Sequence, residues 1–244
     1  MTFQLDCESG EAAISSLSVG FSCTQEKLRE VLLSIDLDEH KEECLYNYVV
    51  REVGEHKELS GVYWFHGTRT SLDNNFQYGI HPLNDALDKV WDVMISTIPT
   101  SEVKQNLQLM RTLGVNDEMY ELRTNDSIHW GPYGILVREV ALNTNKLKQH
   151  DYLKMPELVE DICNAYKLTY EVSLDLLYEN ILVPKLVKFY SSKRLDNGCI
   201  EAALNYAYTK IKKLPINESC VTVLNNGATA IKPEEIVNVE IVSP

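Results

Sequence analysis

Tyr63-Trp64-Phe65-His66-Gly67-Thr68-Arg69 decides how the rest of this chain is read. Val62 to Phe65 is a short run of β-branched and aromatic side chains, which fits a pleated, half-buried strand. His66-Gly67-Thr68 comes next as the strand's exit. Upstream, the pattern is helical. Residues 24–35 carry Leu28, Val31 and Leu32 on one face with Thr24 placed to cap them, and residues 36–55 carry Leu45, Val49 and Val53 at spacing four. Downstream, the sequence predicts a short helix over 73–79 ended by Gly79, then helices over 85–94, 101–113, 156–166, 173–177 and 198–214. The last has Ile200, Leu204, Tyr208 and Ile211 on one stripe. A polar stretch covers 116–127. Strands are expected at 135–137, behind Gly131-Pro132-Tyr133-Gly134, and at 183–190. The C-terminus reads as a strand over 219–224, a hairpin turn at Asn225-Asn226-Gly227, a strand over 228–231, a helical turn, and a last strand over 237–242. Strands concentrate after residue 60. The expectation is a helical N-terminal extension, 1–59, and a mixed α/β domain, 60–244.

Composition bounds the function. The chain has 244 residues, 44% hydrophobic and 24% charged, an ordinary globular balance. No run of ~18 apolar residues is present, so no membrane partner is expected. The first residues are acidic and lack a basic start with an apolar core, so a cytoplasmic location is expected. The cysteines Cys7, Cys23, Cys44, Cys163, Cys199 and Cys220 form no Cys-x-x-Cys pair and read as free thiols. His40, Glu42, Glu43 and Cys44 cluster in sequence, but one helical turn offers at most two well-placed ligands, so no metal is expected. The net charge of −13 argues against broad phosphate binding. The charge is uneven, however: residues 1–60 hold 13 acids and 5 bases, whereas 185–213 hold 7 bases (Lys185, Lys188, Lys193, Arg194, Lys210, Lys212, Lys213) and 2 acids. A local basic face or a solvated helix face both fit that run.

Phe65-His66-Gly67-Thr68, followed by Asn75-Phe76-Gln77-Tyr78-Gly79-Ile80, resembles the first NAD-binding segment of ADP-ribosyltransferases of the diphtheria-toxin and poly(ADP-ribose) polymerase class. Asn217-Glu218-Ser219-Cys220-Val221-Thr222-Val223 resembles that family's glutamate-led strand, and residues 230–239 resemble its usual ending. The resemblance implies an α+β fold, an ADP-ribosyltransferase-like split β-sandwich: two small antiparallel sheets around an NAD cleft, with helical insertions. It implies NAD as substrate and a macromolecular acceptor, protein or nucleic acid.

In that family the histidine, here His66, hydrogen-bonds the adenosine ribose, and the glycine, here Gly67, lets the backbone approach the nicotinamide amide. Thr68 and Arg69 continue the same segment; the Arg69 guanidinium reads equally as a forked contact to the pyrophosphate and as a solvated side chain. An aromatic residue on a middle strand stacks on nicotinamide. Tyr133 is the candidate, with Tyr63, Tyr78 and Tyr120 as rivals. Glu218 would stabilise the positive charge that builds on the ribose as nicotinamide leaves. Taken alone, Glu218 reads as a surface residue opening a strand, and only His66 upstream and the matching tail tip it toward catalysis; His66 alone reads as a strand-end histidine bonded to a carbonyl. Relatives that modify arginine carry a second acid two positions earlier, where this chain has Ile216. Mono-ADP-ribosylation is the expectation. It suits a toxin of a toxin–antitoxin pair, with an inhibitor protein as partner, or a phage-defence effector. A modifier of nucleic-acid bases and a non-catalytic binding module are the alternatives. No Gly-x-Gly-x-x-Gly succeeds a strand, so a Rossmann dehydrogenase is not supported.

Overall fold

In the computed structural model, which describes residues 1–35 and 44–242, the chain opens with a strand. Strand β1 (Thr2–Leu5) runs parallel to the long β2 (Glu58–Thr70), pairing Phe3 with Leu59 and Leu5 with Val62. Its burial alternates, with Phe3 and Leu5 inward, as a strand with one covered face requires. Between these strands lie α1 (Gly10–Gly20), α2 (Gln25–Ser34) and α3 (Leu45–Val53). The hydroxyls of Ser9 and Thr24 accept from the backbone N–H of Ala12 and Lys27, satisfying donors that the first turn of a helix leaves over.

After β2 come α4 (Leu83–Thr97), α5 (Ser101–Leu113), α6 (Glu118–Asn125), β3 (Tyr133–Ile135), α7 (Arg138–Ala141), α8 (Glu157–Tyr170) and α9 (Asp175–Ile181). The chain ends with β4 (Val183–Ser191), α10 (Asn197–Ile211), β5 (Val223–Asn225) and β6 (Ile236–Ile241). The fold is α+β. The described strands join in one six-stranded, mostly antiparallel sheet in the order β5-β3-β2-β4-β6, with β1 beside β2. In place of the two small sheets expected, the length of β2 and β4 carries the ladder on as one.

Two compact units divide the chain, and neither is one continuous stretch. The first takes Met1–His66, Gly134–Lys148 and Lys188–Leu224; the second takes Gly67–Tyr133, Gln149–Val187 and Asn225–Pro244. The expected boundary at residue 60 therefore falls inside β2. Residues 1–59 are no added helical piece, because β1 is a sheet strand and α1 packs on α10.

In the first unit, Leu5, Ile14, Leu17, Leu28, Trp64, Phe65, Phe189 and Tyr206 are buried. Gly61 and Gly134 mark close approaches there. A Cβ on Gly61 would lie 2.0 Å from the Tyr190 hydroxyl oxygen, and one on Gly134 would lie 2.8 Å from Trp64 and Phe189. In the second unit, Trp91, Met94, Leu107, Ile162, Tyr166 and Tyr178 form the core between α4, α5, α8 and α9. Its buried polar tips are satisfied: Tyr178 donates to the Met94 carbonyl at 3.0 Å, and Trp91 donates to the Tyr120 hydroxyl at 3.1 Å.

Several local expectations change. Residues 73–79 are turns, tied by the Asn74 and Asn75 side chains to the N–H of Phe76 and Gln77. The polar stretch 116–127 holds α6, capped by Asp117. The strand expected over 219–224 is a one-turn 3-10 helix, Glu218–Cys220, followed by the short β5. The Asn-Gly turn closes no hairpin, since Ile231 pairs with Ile80 instead. Of the helix expected over 36–55, residues 36–43 lie outside the described residues, and so do His40, Glu42 and Glu43. Among the described residues no helix is long and apolar enough to cross a membrane.

Candidate functional site

His66 ends the part of β2 that belongs to the first unit. Trp64 and Phe65 before it are buried, and His66 is half-buried. Phe65 pairs with Ile135 of β3. The next residue of that segment, Leu136, donates its N–H to the Thr222 carbonyl at 3.1 Å. The strand of His66 is thus the neighbour of β3, and β3 runs on beside the segment led by Glu218. Glu218 itself is exposed on its 3-10 turn, where the Asn217 side chain accepts from the Ser219 N–H at 2.9 Å. Among the described residues no hydrogen bond or ion pair fixes its carboxylate. It opens a turn rather than a strand, because Asn217 caps the Glu218–Cys220 turn and Cys220 is drawn into the core.

The other candidates, Gly67, Thr68, Arg69 and Tyr133, belong to the second unit. A Cβ on Gly67 would sit 3.6 Å from Tyr152 and Leu153, an ordinary contact, so packing alone does not demand glycine here. Thr68 is half-exposed. Arg69 is committed to main-chain carbonyls. Its guanidinium donates to Leu153 at 2.9 Å, Lys154 at 3.3 Å, Glu179 at 2.5 Å and Leu182 at 2.9 Å. A fork filled this way holds backbone together and is not presented to a pyrophosphate.

Tyr133 opens β3, and its hydroxyl donates to the Ile128 carbonyl. That carbonyl also accepts from the Asn225 side chain at 3.1 Å. Burial raises the Tyr133 pKa, aided by the charges of Glu157 and Asp126. The rival tyrosines are placed differently. Tyr63 donates to Gln4 and lies under the Lys188 ammonium, 4.8 Å from it. Tyr120 packs against the core of the second unit, and Tyr78 is 71% exposed.

Beside Gly67 stands a cluster that no sequence motif announced. Tyr152 is hydrogen-bonded to Glu157. Arg123 pairs with Glu157 at 3.2 Å and with the buried Asp161. Burial, then the Glu157 charge and hydrogen bond, push the Tyr152 pKa well up. Burial also raises the Asp161 pKa against the pull of Arg123. A shallow depression of 380 Å3, lined by Asp92, Ile95, Ser96, Gln108, Arg111 and Thr112, contains none of the candidate residues.

In the run 185–213, Lys185, Lys188, Arg194, Lys210 and Lys212 are engaged within the protein, while Lys193 and Lys213 are exposed. Lys188 reaches Asp6 at 2.6 Å and Glu8 at 2.7 Å. Burial disfavours its charge, but the hydrogen bonds to both carboxylates outweigh that and raise its pKa. Arg194 pairs with Asp196 and donates to the Val223 carbonyl. Lys210 pairs with Glu139 at 2.5 Å, and Lys212 donates to the Leu33 carbonyl at 2.7 Å. Lys185 is enclosed, donating to three backbone carbonyls. Cations spent on internal partners do not gather phosphates. Among the described residues no cluster of His, Cys, Asp and Glu could hold a metal ion.

No protein-family model, curated protein or solved structure matches this chain.

Proposed function

We propose that this protein is an ADP-ribosyltransferase, built on an α+β fold with a single mostly antiparallel sheet, and that it moves ADP-ribose from NAD to a macromolecular acceptor with release of nicotinamide. The observation that carries the reading is the succession of neighbours in the sheet. Beside His66, Phe65 of β2 pairs with Ile135 of β3, and Leu136, the next residue after β3, bonds to Thr222 in the segment led by Glu218. Two stretches that resemble motifs of one family lie on either side of the segment that carries the stacking candidate, though all three are far apart in sequence.

His66 donates or accepts at the adenosine ribose, and Tyr133 stacks on the nicotinamide ring. The bond between the ribose anomeric carbon and the nicotinamide nitrogen breaks. Its electron pair stays with that nitrogen, so the pyridinium leaves as neutral nicotinamide. Positive charge then builds on the ribose ring. Glu218, hydrogen-bonded to a ribose hydroxyl, stabilises that charge more than it stabilises the ground state. The acceptor's nucleophile bonds to the anomeric carbon and gives up its proton to water. An exposed carboxylate with no ion partner among the described residues can turn toward a ligand without first breaking a pair. Arg69 holds backbone in place and is not given a role at the pyrophosphate, because four of its five N–H donors are already used on main-chain carbonyls. The internal pairing of the basic run favours a protein acceptor over a nucleic acid.

The test is labelled NAD mixed with the purified protein and a lysate split into protein and nucleic-acid fractions, run beside Glu218→Gln. Label in the protein fraction that the substitution abolishes is the expected result. Label in the nucleic-acid fraction would move the acceptor to a base. Neither label nor free nicotinamide from folded wild type would leave a non-catalytic binding module.

A further inference from the structure

We propose that the turn at residues 71–74 is a monovalent-cation site and that Lys185 is its tethered occupant. The Lys185 ammonium donates to the carbonyl oxygens of Ser71 at 3.0 Å, Leu72 at 2.9 Å and Asn74 at 2.5 Å. Three donors meet three acceptors, and the residue is 2% exposed. No carboxylate enters the cage. Asp73 adds its charge from the adjoining position, and that attraction counters the burial that lowers the Lys185 pKa.

Carbonyl dipoles that converge from one short turn repel each other unless something positive lies at their focus. The turn's other bonds are Asn74 N–H to the Ser71 carbonyl at 3.2 Å, the Asn74 side chain to the Thr70 hydroxyl at 3.2 Å and from the Phe76 N–H at 3.1 Å, and the Asp73 carboxylate with the Ser71 side chain and its own backbone; none of them puts a positive charge at the focus of the three carbonyls. The chemistry required at the focus is that of a potassium or ammonium ion held by oxygens in place of water. Lysine supplies it covalently. Removing the stem, while leaving the carbonyls, should create a site for the free ion.

The turn comes directly after His66–Arg69. Lys185 is therefore also a positioning residue for NAD, and this part rests on the transferase reading above. Arg69 acts in the same sense, binding the carbonyls of 153, 154, 179 and 182.

The experiment compares full-length wild type, Lys185→Ala and Lys185→Met. Hydrogen exchange of the peptide spanning 71–77 is followed in potassium, ammonium or tetramethylammonium chloride at equal ionic strength. Wild type should be indifferent to the salt. Lys185→Ala should exchange faster by roughly tenfold or more in tetramethylammonium, since three charge-assisted hydrogen bonds are lost and one alone implies about tenfold. It should return toward wild type in potassium or ammonium. Lys185→Met, whose methyl fills the space, should stay fast in all three. Wild-type protection of Lys185→Ala in tetramethylammonium, or equally fast exchange in every salt, would overturn the proposal. If Lys185→Ala fails to fold in tetramethylammonium, refolding yield replaces exchange as the readout, and equal yields in ammonium and tetramethylammonium overturn it. The NAD arm is separate. Lys185→Ala should raise KM for NAD with kcat unchanged, and ammonium should restore KM. Salt-rescued exchange with no NAD turnover by wild type leaves the cation site standing and removes the transferase. Turnover by wild type with exchange indifferent to Lys185 does the reverse.

Discussion

Raising the pH should unfold this protein steeply, because it buries thiols that must stay neutral. Cys7, Cys163 and Cys199 are at most 1% exposed. Burial first, then nearby negative groups, pushes all three upward, Cys199 to about 12. The unfolded chain releases these protons near the ordinary thiol value of about 8.5. The folded state therefore binds more protons above that pH, and stability falls as pH rises from the unfolded value toward the folded one. Lys188 acts in the same direction, since its stabilising pair with Asp6 and Glu8 is present at neutral pH and lost as pH climbs through its raised pKa. Between about pH 8 and pH 10 each thiol removes roughly 2 kcal/mol, and the three together about 6 kcal/mol, comparable to the whole stability of an ordinary domain. The assay is urea unfolding with fresh reductant at a series of pH values. Cys199→Ala should flatten the slope by about 1.4 kcal/mol per pH unit, whatever its fixed cost. A stability that is flat or rising over that range would refute the reasoning, as would an unchanged slope in Cys199→Ala.

Two further substitutions probe packing and site separately. Gly61→Ala should cost about 1–3 kcal/mol or more, because its Cβ would meet Tyr190 at 2.0 Å. The double variant with Tyr190→Ala should cost less than the sum of the two singles in urea midpoints, and strict additivity would refute the clash. Gly67→Ala should leave stability within about 1 kcal/mol of wild type, since its Cβ makes only ordinary contacts. Loss of NAD turnover at an unchanged urea midpoint would place ligand against this backbone; unchanged turnover would remove Gly67 from the site.

The elements with strong local signals were legible in the sequence. The aromatic run 62–65 lies in β2, Leu28, Val31 and Leu32 share the buried face of α2, and the apolar run from 183 is β4. The features that escaped it are set by distant partners. Thr2–Leu5 alternates but is four residues long, and only pairing with β2 makes it a strand. Asn225-Asn226-Gly227 has hairpin chemistry, but Ile80 takes Ile231 as its partner and leaves β5 without one from that side. Glu218 resembled a strand opener, and the capping Asn217 beside it, a common start of a turn, argued otherwise. The basic run misled because a sum of charges does not say where each cation points. Its own pattern held a clue: Lys185 and Lys188 interrupt an apolar strand at an odd spacing, so they point to opposite faces and each needs a built partner. Arg69 gave no such sign, since its carbonyl partners lie 84 to 113 positions away.

The interleaving of the first unit sets an order of assembly that differs from the order of synthesis. Its N-terminal helices leave the ribosome first, yet the helix that covers α1 is α10, and the last stretch the unit requires is Lys188–Leu224. Until that stretch emerges, α1 and α2 have β1, α3 and each other to pack on but lack the helix that covers both, and the whole second unit apart from its C-terminal residues is made in the interval. A nascent chain of this protein thus carries an unfinished core through most of its translation, a state in which exposed apolar surface invites chaperones or aggregation.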